Sequence, residues 1–436
     1  MKRLAGLVIA AAFGAFSAPD AHAQSAFGCS QLSSRAHLPV VEGTGGVFFR
    51  VQPDLQMFHG LSDQSVAQVS ALSAALKELG TTLIYLPVPT KSLAMPDNLT
   101  AETEDFGFDP HIATTVYLDT LRRLQEQGVV AVDARQALLN ATPDQPAFHR
   151  ADHRITATGA QRTAQAVADR LRSDPGYDLL TKAQFSTVPA GVEVLESAMR
   201  NQLQQNCLMA LPDVETALYK TTKVQSAAVV ATSSLFAETQ RSSSIAVVGT
   251  EYTGEPSANF AGFLSDYTGL DVMQYSVEGG GAFAAISSYM TSENFQTSRP
   301  SYLIWEVPVY SNLGQFADQP MRELIAAAGN NCRVPLRVMV SEGPHAVRVD
   351  LTALDPGLDY TLLLDTDGAA SDEATFAFTN RAGLIRTKSI MRHADQVKTG
   401  RFYMPMSGLW ADGAAYVDID LSVPFGGNPR IAACFY

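Results

Sequence analysis

The chain has 436 residues, 46% of them hydrophobic and 17% charged, with a formal net charge of −13 and four cysteines. That length exceeds what a single core usually organises, so two domains are expected, and the apolar fraction excludes a disordered chain. The acidic balance argues against a general nucleic-acid binder, because polyphosphate recognition needs a basic surface.

Residues 1–23 read as an export signal: Lys2 and Arg3 are basic, 4–18 are apolar, and Ala21-His22-Ala23 is a small-residue cleavage site. Cys29 lies six residues beyond Ala23, which does not fit a lipid anchor. No later apolar run reaches the ~18 residues of a spanning helix. The mature chain is therefore expected in the bacterial periplasm, without a membrane span. In that oxidising compartment Cys29, Cys207, Cys332 and Cys434 read as two disulfides, since no two are spaced as a metal knuckle. Neither a metal nor a cofactor is expected. Three pairings are allowed; the economical one joins Cys29 to Cys207 and Cys332 to Cys434, which implies a domain boundary just before Cys332.

From 64 to 330 helical and strand patterns alternate. Helices are expected at 64–80, 116–127, 157–171 and 258–268, and strands at 82–87, 129–133, 245–249, 271–275 and 302–307. Apolar strands separated by helices indicate βαβ units on a parallel sheet. The link from 174 to 198 has little pattern. After Cys332 the segments 336–340, 346–351, 360–365, 375–379 and 416–423 are short, β-rich and broken by Gly, Pro and Asp, as in an antiparallel sandwich. The expected organisation is a signal over 1–23, an α/β domain over 24–330 and a sandwich over 331–436.

Nucleophile-elbow, phosphate-loop, zinc-protease and dinucleotide motifs are absent. Ligands of parallel sheets bind at the carboxyl ends of strands, and three places there stand out. Thr250, Glu251 and Tyr252 follow the strand at 245–249 and form either an ordinary connection or a turn presenting a nucleophile and oxyanion donors. Asp152 and His153 precede the helix at 157 and are either an orienting acid and a base or part of a helix cap, with Thr156 the alternative cap. Lys91 ends the stiff Pro87-Val88-Pro89-Thr90 loop, where it either meets an anionic ligand or is simply solvated.

Several ordered motifs resemble one family. They are GGVFFR at 45–50, PVPTK at 87–91, FHRADHRITATGAQRTAQAVA at 148–168, VVGT-x-Y at 247–252, NFAGFLSDYTGLDV at 259–272, EGGGAF at 278–283 and IWEVP at 304–308. The chain is similar to the periplasmic AlgX- and AlgJ-like alginate (exopolysaccharide) O-acetylation proteins, which implies an α/β SGNH hydrolase-like fold with an all-β carbohydrate-binding tail. The resemblance also implies a mechanism in which a serine takes an acetyl group and passes it to a polymer hydroxyl, with a histidine as base and an aspartate orienting it. Position by position the aspartate falls on Asp152, the histidine on Arg154 and the serine on Glu251. Thr250, Tyr252 and Gly280 occupy the surrounding oxyanion and loop positions. Two of three catalytic residues are thus substituted, and arginine cannot act as a base. An Arg154–Glu251 ion pair is expected to take the place of the Ser–His contact.

The tail offers a binding role. Between 381 and 401, Arg381, Arg386, Lys388, Arg392, Lys398 and Arg401 face one acid, Asp395, a local balance of +5. Phe402, Tyr403 and Trp410 follow; guanidinium forks suit uronate carboxylates and aromatic faces suit sugar rings. The strip is equally readable as a solvated sheet face. Two functions follow: an AlgX-like component of an exopolysaccharide acetylation and secretion complex that binds the anionic polymer with a degenerate site, or an active O-acetyltransferase or esterase using Glu251 or His153 in a shifted geometry.

Overall fold

Two runs that are apolar on both faces, TLIYLPV and YLIWEVP, become the centre of a five-stranded parallel sheet in a computed structural model that describes residues 25–142, 144–224, 244–316, 318–339 and 343–435. The export signal read over 1–23 lies outside the described residues. The strands lie side by side as Val130–Ala131, Thr82–Val88, Tyr302–Pro308, Ser244–Gly249 and Asp271–Ser276, every pair parallel. Strands sealed on both faces need helices on both faces. Asp63–Glu78, Pro110–Glu126, Ala284–Thr291 and Asp318–Ala328 cover one, and Ala157–Arg172 and Phe260–Thr268 cover the other. Gly159 lets the helix Ala157–Arg172 sit against the loop before it, where a Cβ would lie 2.3 Å from the Ala147 carbonyl oxygen.

Two antiparallel sheets follow. One runs Val334–Pro335, Arg430–Phe435, Tyr360–Asp365, Arg401–Pro405; the other Val338–Met339, Ala346–Asp350, Tyr416–Leu421, Glu373–Thr379, Ile385–Met391. Leu362, Leu364, Phe376, Phe378, Val417 and Ile419 fill the space between them, the alternate residues of each strand that face inward. The other face of the first sheet does not meet water throughout. Leu363, Tyr403 and Cys434 join the same apolar cluster as the helices beside the parallel sheet, so the two halves share a core.

Several elements differ from expectation. The helix expected at 116 starts at Pro110, because Asp109 accepts hydrogen bonds from the N–H groups of His111 and Ile112 at 2.8 and 3.1 Å and so caps it earlier. The link at 174–198 contains the strand Phe185–Val194, paired with Glu215–Lys223; most of its residues are exposed, so it has no burial alternation to betray it. The strand Ile385–Met391, absent from the sequence expectation, is likewise mostly exposed. Val340, placed in a strand from sequence, lies outside the described residues. Cys29 is bonded to Cys207 and Cys332 to Cys434.

Candidate functional site

The loop 147–156 and the turn 249–253 come together at the carboxyl ends of the central strands. Phe148 bridges Ile155, and the His149 N–H donates to the Arg154 carbonyl at 3.1 Å, closing the loop on itself. Thr156, not Asp152, caps the following helix through its hydroxyl on the Gly159 N–H at 3.1 Å.

Lys91 is the keystone of this loop rather than a ligand-seeking surface lysine. It is 1% exposed, and its Nζ donates to the carbonyls of Phe48, His149, Arg150 and Asp152 at 2.9, 2.6, 2.8 and 3.0 Å. The expected proline loop is instead the end of the strand Thr82–Val88, and Lys91 opens the helical turn Lys91–Ala94 capped by Thr90, with its side chain turned inward onto carbonyls that need a donor. Burial pulls its pKa down to about 7, with the Asp54 carboxylate acting in the opposite sense.

Asp152 is 2% exposed and accepts three bonds from its near neighbour: Arg154 N at 2.8 Å and Nε at 3.0 Å on Oδ1, and Nη2 at 3.1 Å on Oδ2. Burial would raise the pKa of Asp152, but the Arg154 fork and Ser197 hold it well below the usual carboxylate range. Arg154 also reaches Glu255 Oε2 at 3.4 Å and the Glu196 carbonyl at 2.8 Å. The expected Arg154–Glu251 pair is therefore not formed. A fork two residues from a carboxylate chelates it locally, and Glu255 takes the remaining edge.

His153 does meet its neighbour, with Nδ1 3.5 Å from Asp152 Oδ1. Burial and then the Arg50 charge lower its pKa, against the pull of Asp152 and Glu251, so the imidazole is neutral at pH 7. His149, buried four residues earlier in the loop, is lowered to about 4 by burial, and its Nε2 has no partner among the described residues.

Glu251 opens the short helix Glu251–Gly254 with a partly exposed side chain. Its charge acts on His153, Tyr252, Glu306 and Tyr310, which places all four around it. Beneath it lies Glu306, fully buried mid-strand, accepting from the Thr250 N–H at 2.6 Å and from the hydroxyls of Thr250 and Thr253 at 3.1 Å. Only glycine fits at 249, since a Cβ there would lie 2.3 Å from Glu306 Oε2. Burial raises Glu306 to about 7, Thr250 opposing and Glu251 reinforcing.

The expected oxyanion donors are already committed. The Thr250 N–H serves Glu306, the Tyr252 N–H points to Thr250 Oγ1 at 3.4 Å, and the Gly280 N–H donates to the Val277 carbonyl at 3.1 Å. Sequence reasoning missed Glu306, although an acid inside an otherwise apolar strand was a visible signal. It also missed Arg50, which forks onto Asp54 at 3.0 and 3.1 Å, reaches the Tyr252 hydroxyl at 3.3 Å and lies 5.7 Å from the Tyr310 ring centre.

Half of the basic strip in the tail turns inward. Arg392 forks onto Glu323, Lys388 donates to the carbonyls of Pro405 and Ser407, Arg401 is held by Asp365 and Glu293, and Tyr403 is buried. Arg381 and Arg386 stay outside and Lys398 is partly exposed. Arg386 stacks over Trp410 at 4.9 Å, and Trp410 and Arg381 line a surface cleft of about 460 Å³ with Leu354, Tyr360 and Met406. Among the described residues no helix is long and apolar enough to cross a membrane.

Residues 40–309 match the family described as the SGNH hydrolase-like domain of the acetyltransferase AlgX. The alginate biosynthesis protein AlgX of Pseudomonas aeruginosa is 28% identical over 341 residues, 77% of this chain and 70% of that protein; the Pseudomonas syringae AlgX is 29% identical over 76% of this chain and 65% of its own length. The probable alginate O-acetylase AlgJ of P. aeruginosa is 25% identical over 62% of this chain and 70% of its own. The solved P. aeruginosa AlgX structure overlays with a TM-score of 0.73 at 24% identity, covering 92% of this chain and 94% of that one.

Proposed function

The chain belongs to the AlgX family of SGNH hydrolase-like domains, and from that premise we propose that it is a periplasmic protein of alginate-type exopolysaccharide acetylation and secretion. In this reading it binds the anionic polymer through the sandwich at 331–436, working with other proteins of that assembly, while its α/β domain at 24–330 no longer runs the family's transfer chemistry. The observation that carries this is the Arg154 fork on Asp152. The carboxylate that would orient a base is occupied by a permanent cation that stands in the base's own position, and loss of a base or nucleophile costs on the order of a millionfold in rate. The committed N–H groups of Thr250 and Gly280 support the same reading. The test is acetyl-ester hydrolysis and acetyl transfer by the purified protein. No turnover above background is expected, with a gain in the Arg154→His, Glu251→Ser double variant; robust wild-type turnover abolished by Glu251→Ala overturns the reading.

One observation favours the second reading, that a shifted site is active. His153 Nδ1 lies 3.5 Å from Asp152, and the Glu251 charge acts on the same imidazole. In that chemistry a Glu251 carboxylate oxygen attacks the acetyl carbonyl carbon, and the donor's C–O bond breaks as the departing alkoxide takes a proton from water, which His153 later returns to solvent. A sugar hydroxyl then attacks the mixed anhydride while His153 takes its proton, regenerating the Glu251 carboxylate. His153→Gln separates the two readings, since only the second predicts activity for it to remove.

A further inference from the structure

A second cleft, of about 520 Å³, opens where the first antiparallel sheet meets the helical face of the α/β half, and Arg333, Arg401 and Arg430 line it. Two of these lie outside the basic strip at 381–401. Strand register fixes their spacing: Arg401 and Arg430 are the cross-strand partners of the same residue, Asp365, from either side. Arg333 immediately precedes Val334, which pairs with Ala433, and its neighbour Cys332 is bonded to Cys434, so Arg401 and Arg430 are carried by one sheet and Arg333 is tied to its edge. Sites on paired strands hold their geometry better than sites on loops.

The three are not equally engaged. Arg401 is taken up by Asp365 at 3.0 Å and by Glu293. Among the described residues Arg430 has one ion contact, 3.7 Å from Asp365, with its side chain 70% exposed. Arg333 is exposed and bonds through Nε alone to the Asn330 carbonyl at 3.0 Å, leaving its terminal nitrogens without a partner among the described residues. Three guanidinium groups against the carboxylates of Asp365 and Glu293 leave one uncompensated positive charge on a chain of net charge −13. On that face of the sheet Leu363 and its cross-strand partner Ala432 form an apolar floor. An exposed pair of cationic forks above an apolar floor suits a sugar that has a carboxylate on one edge and C–H groups on its face.

We propose that this cleft is a second subsite for an acidic saccharide, holding a uronate carboxylate between Arg333 and Arg430, and that one polymer chain spans it and the Trp410 cleft. The strand Arg401–Pro405 connects them: Arg401 and Tyr403 line one cleft, and Met406, just past the other end, lines the second. At ~3.3 Å per residue the five steps from Arg401 to Met406 span about 17 Å. The proposal rests on the polysaccharide-binding reading and deepens it.

Calorimetric titration of the full-length protein with short and long oligomannuronates tests it, neutral glucose oligomers serving as control. A chain long enough to reach both clefts is expected to bind the wild type at least about tenfold more tightly than a short one, through the effective concentration of the second contact. The Arg333→Gln, Arg430→Gln double variant is expected to lose that gain and keep the short-chain affinity, and the neutral oligomers are expected not to show it. Long-chain binding by the double variant equal to wild type overturns the subsite, as does an equal gain with neutral oligomers. A wild type that binds no oligomannuronate of any length overturns the polysaccharide reading itself, a result distinct from the other two.

Discussion

Arg392 grips both carboxylate oxygens of Glu323, Nη2 to Oε1 at 2.6 Å and Nη1 to Oε2 at 2.9 Å, joining the antiparallel half of the molecule to the helix Asp318–Ala328. The side chains are 6% and 3% exposed, and the Tyr403 N–H and the Gln319 amide also donate to the glutamate. The contact explains why Arg392, basic and mid-strip in the sequence, is unavailable to a polymer.

Breaking this pair from one side leaves a buried charge unpaired, at a cost of about 3–5 kcal/mol, whereas replacing both partners by apolar residues of similar size is far milder. Urea denaturation of Glu323→Leu, Arg392→Met and the double variant that combines them checks this. Additive losses in the double variant would show that the pair is not coupled.

How much of this was legible follows from where each signal resides. The strands at 82–88 and 302–308 are apolar without interruption, so burial on both faces was written into composition, and the helix at 157–172 announced itself by Thr156 and a small-residue stripe. The positions of Asp152, Arg154 and Glu251 followed from motif order. Their contacts did not, because whether Arg154 turns to Glu251 or back to Asp152 depends on a loop conformation fixed by Lys91, 61 residues from Asp152 in sequence. Lys388, Arg392 and Arg401 show the same limit: strand alternation says which residues share a face, not whether another layer covers it.

Two buried titrating groups beside the site act on stability in opposite directions. Glu306 is raised by burial from 4.5 to about 7, so between those values the folded state holds a proton that the unfolded state has released; its contribution is full below pH 4.5 and is lost as pH climbs to about 7. His149 is lowered by burial from 6.5 to about 4, so there the unfolded state holds the extra proton and stability grows with pH across that window. Each is worth roughly 3 kcal/mol, and the slopes cancel where they overlap. Glu306→Gln should therefore gain about that much relative to wild type between pH 4.5 and 7, and His149→Phe should lose the rise between pH 4 and 6.5. Stability curves of both variants running parallel to wild type would refute the assignment.

Trp410 presents its ring under Arg386 at 4.9 Å at the edge of a cleft that Arg381 also lines. If a uronate polymer binds there, removing the aromatic anchor costs about 2 kcal/mol or more, some thirtyfold in affinity. Removing a screened cation costs less and lowers the salt dependence. Trp410→Ala should thus weaken polymannuronate binding by the full-length protein at all salt concentrations. Arg381→Gln should weaken it mainly at low salt. Binding by both variants unchanged from wild type would move the polymer away from this cleft.

Lys91 makes the strongest local prediction. Four backbone carbonyls from two segments converge on one Nζ, and methionine fills the same space while offering none of them a donor. Hydrogen bonds contribute about 1 kcal/mol each, more where the donor is charged, and the carbonyls of Phe48, His149 and Asp152 are left buried, so Lys91→Met should destabilise the protein by about 3 kcal/mol. The loss should be concentrated in the loop. Amide exchange is expected to accelerate at 148–155, where the His149 N–H holds the loop closed, while the amides of Tyr302–Pro308 in the sheet centre stay protected. A variant whose loop amides exchange as slowly as wild type would show that the Arg154–Asp152 fork alone holds the conformation.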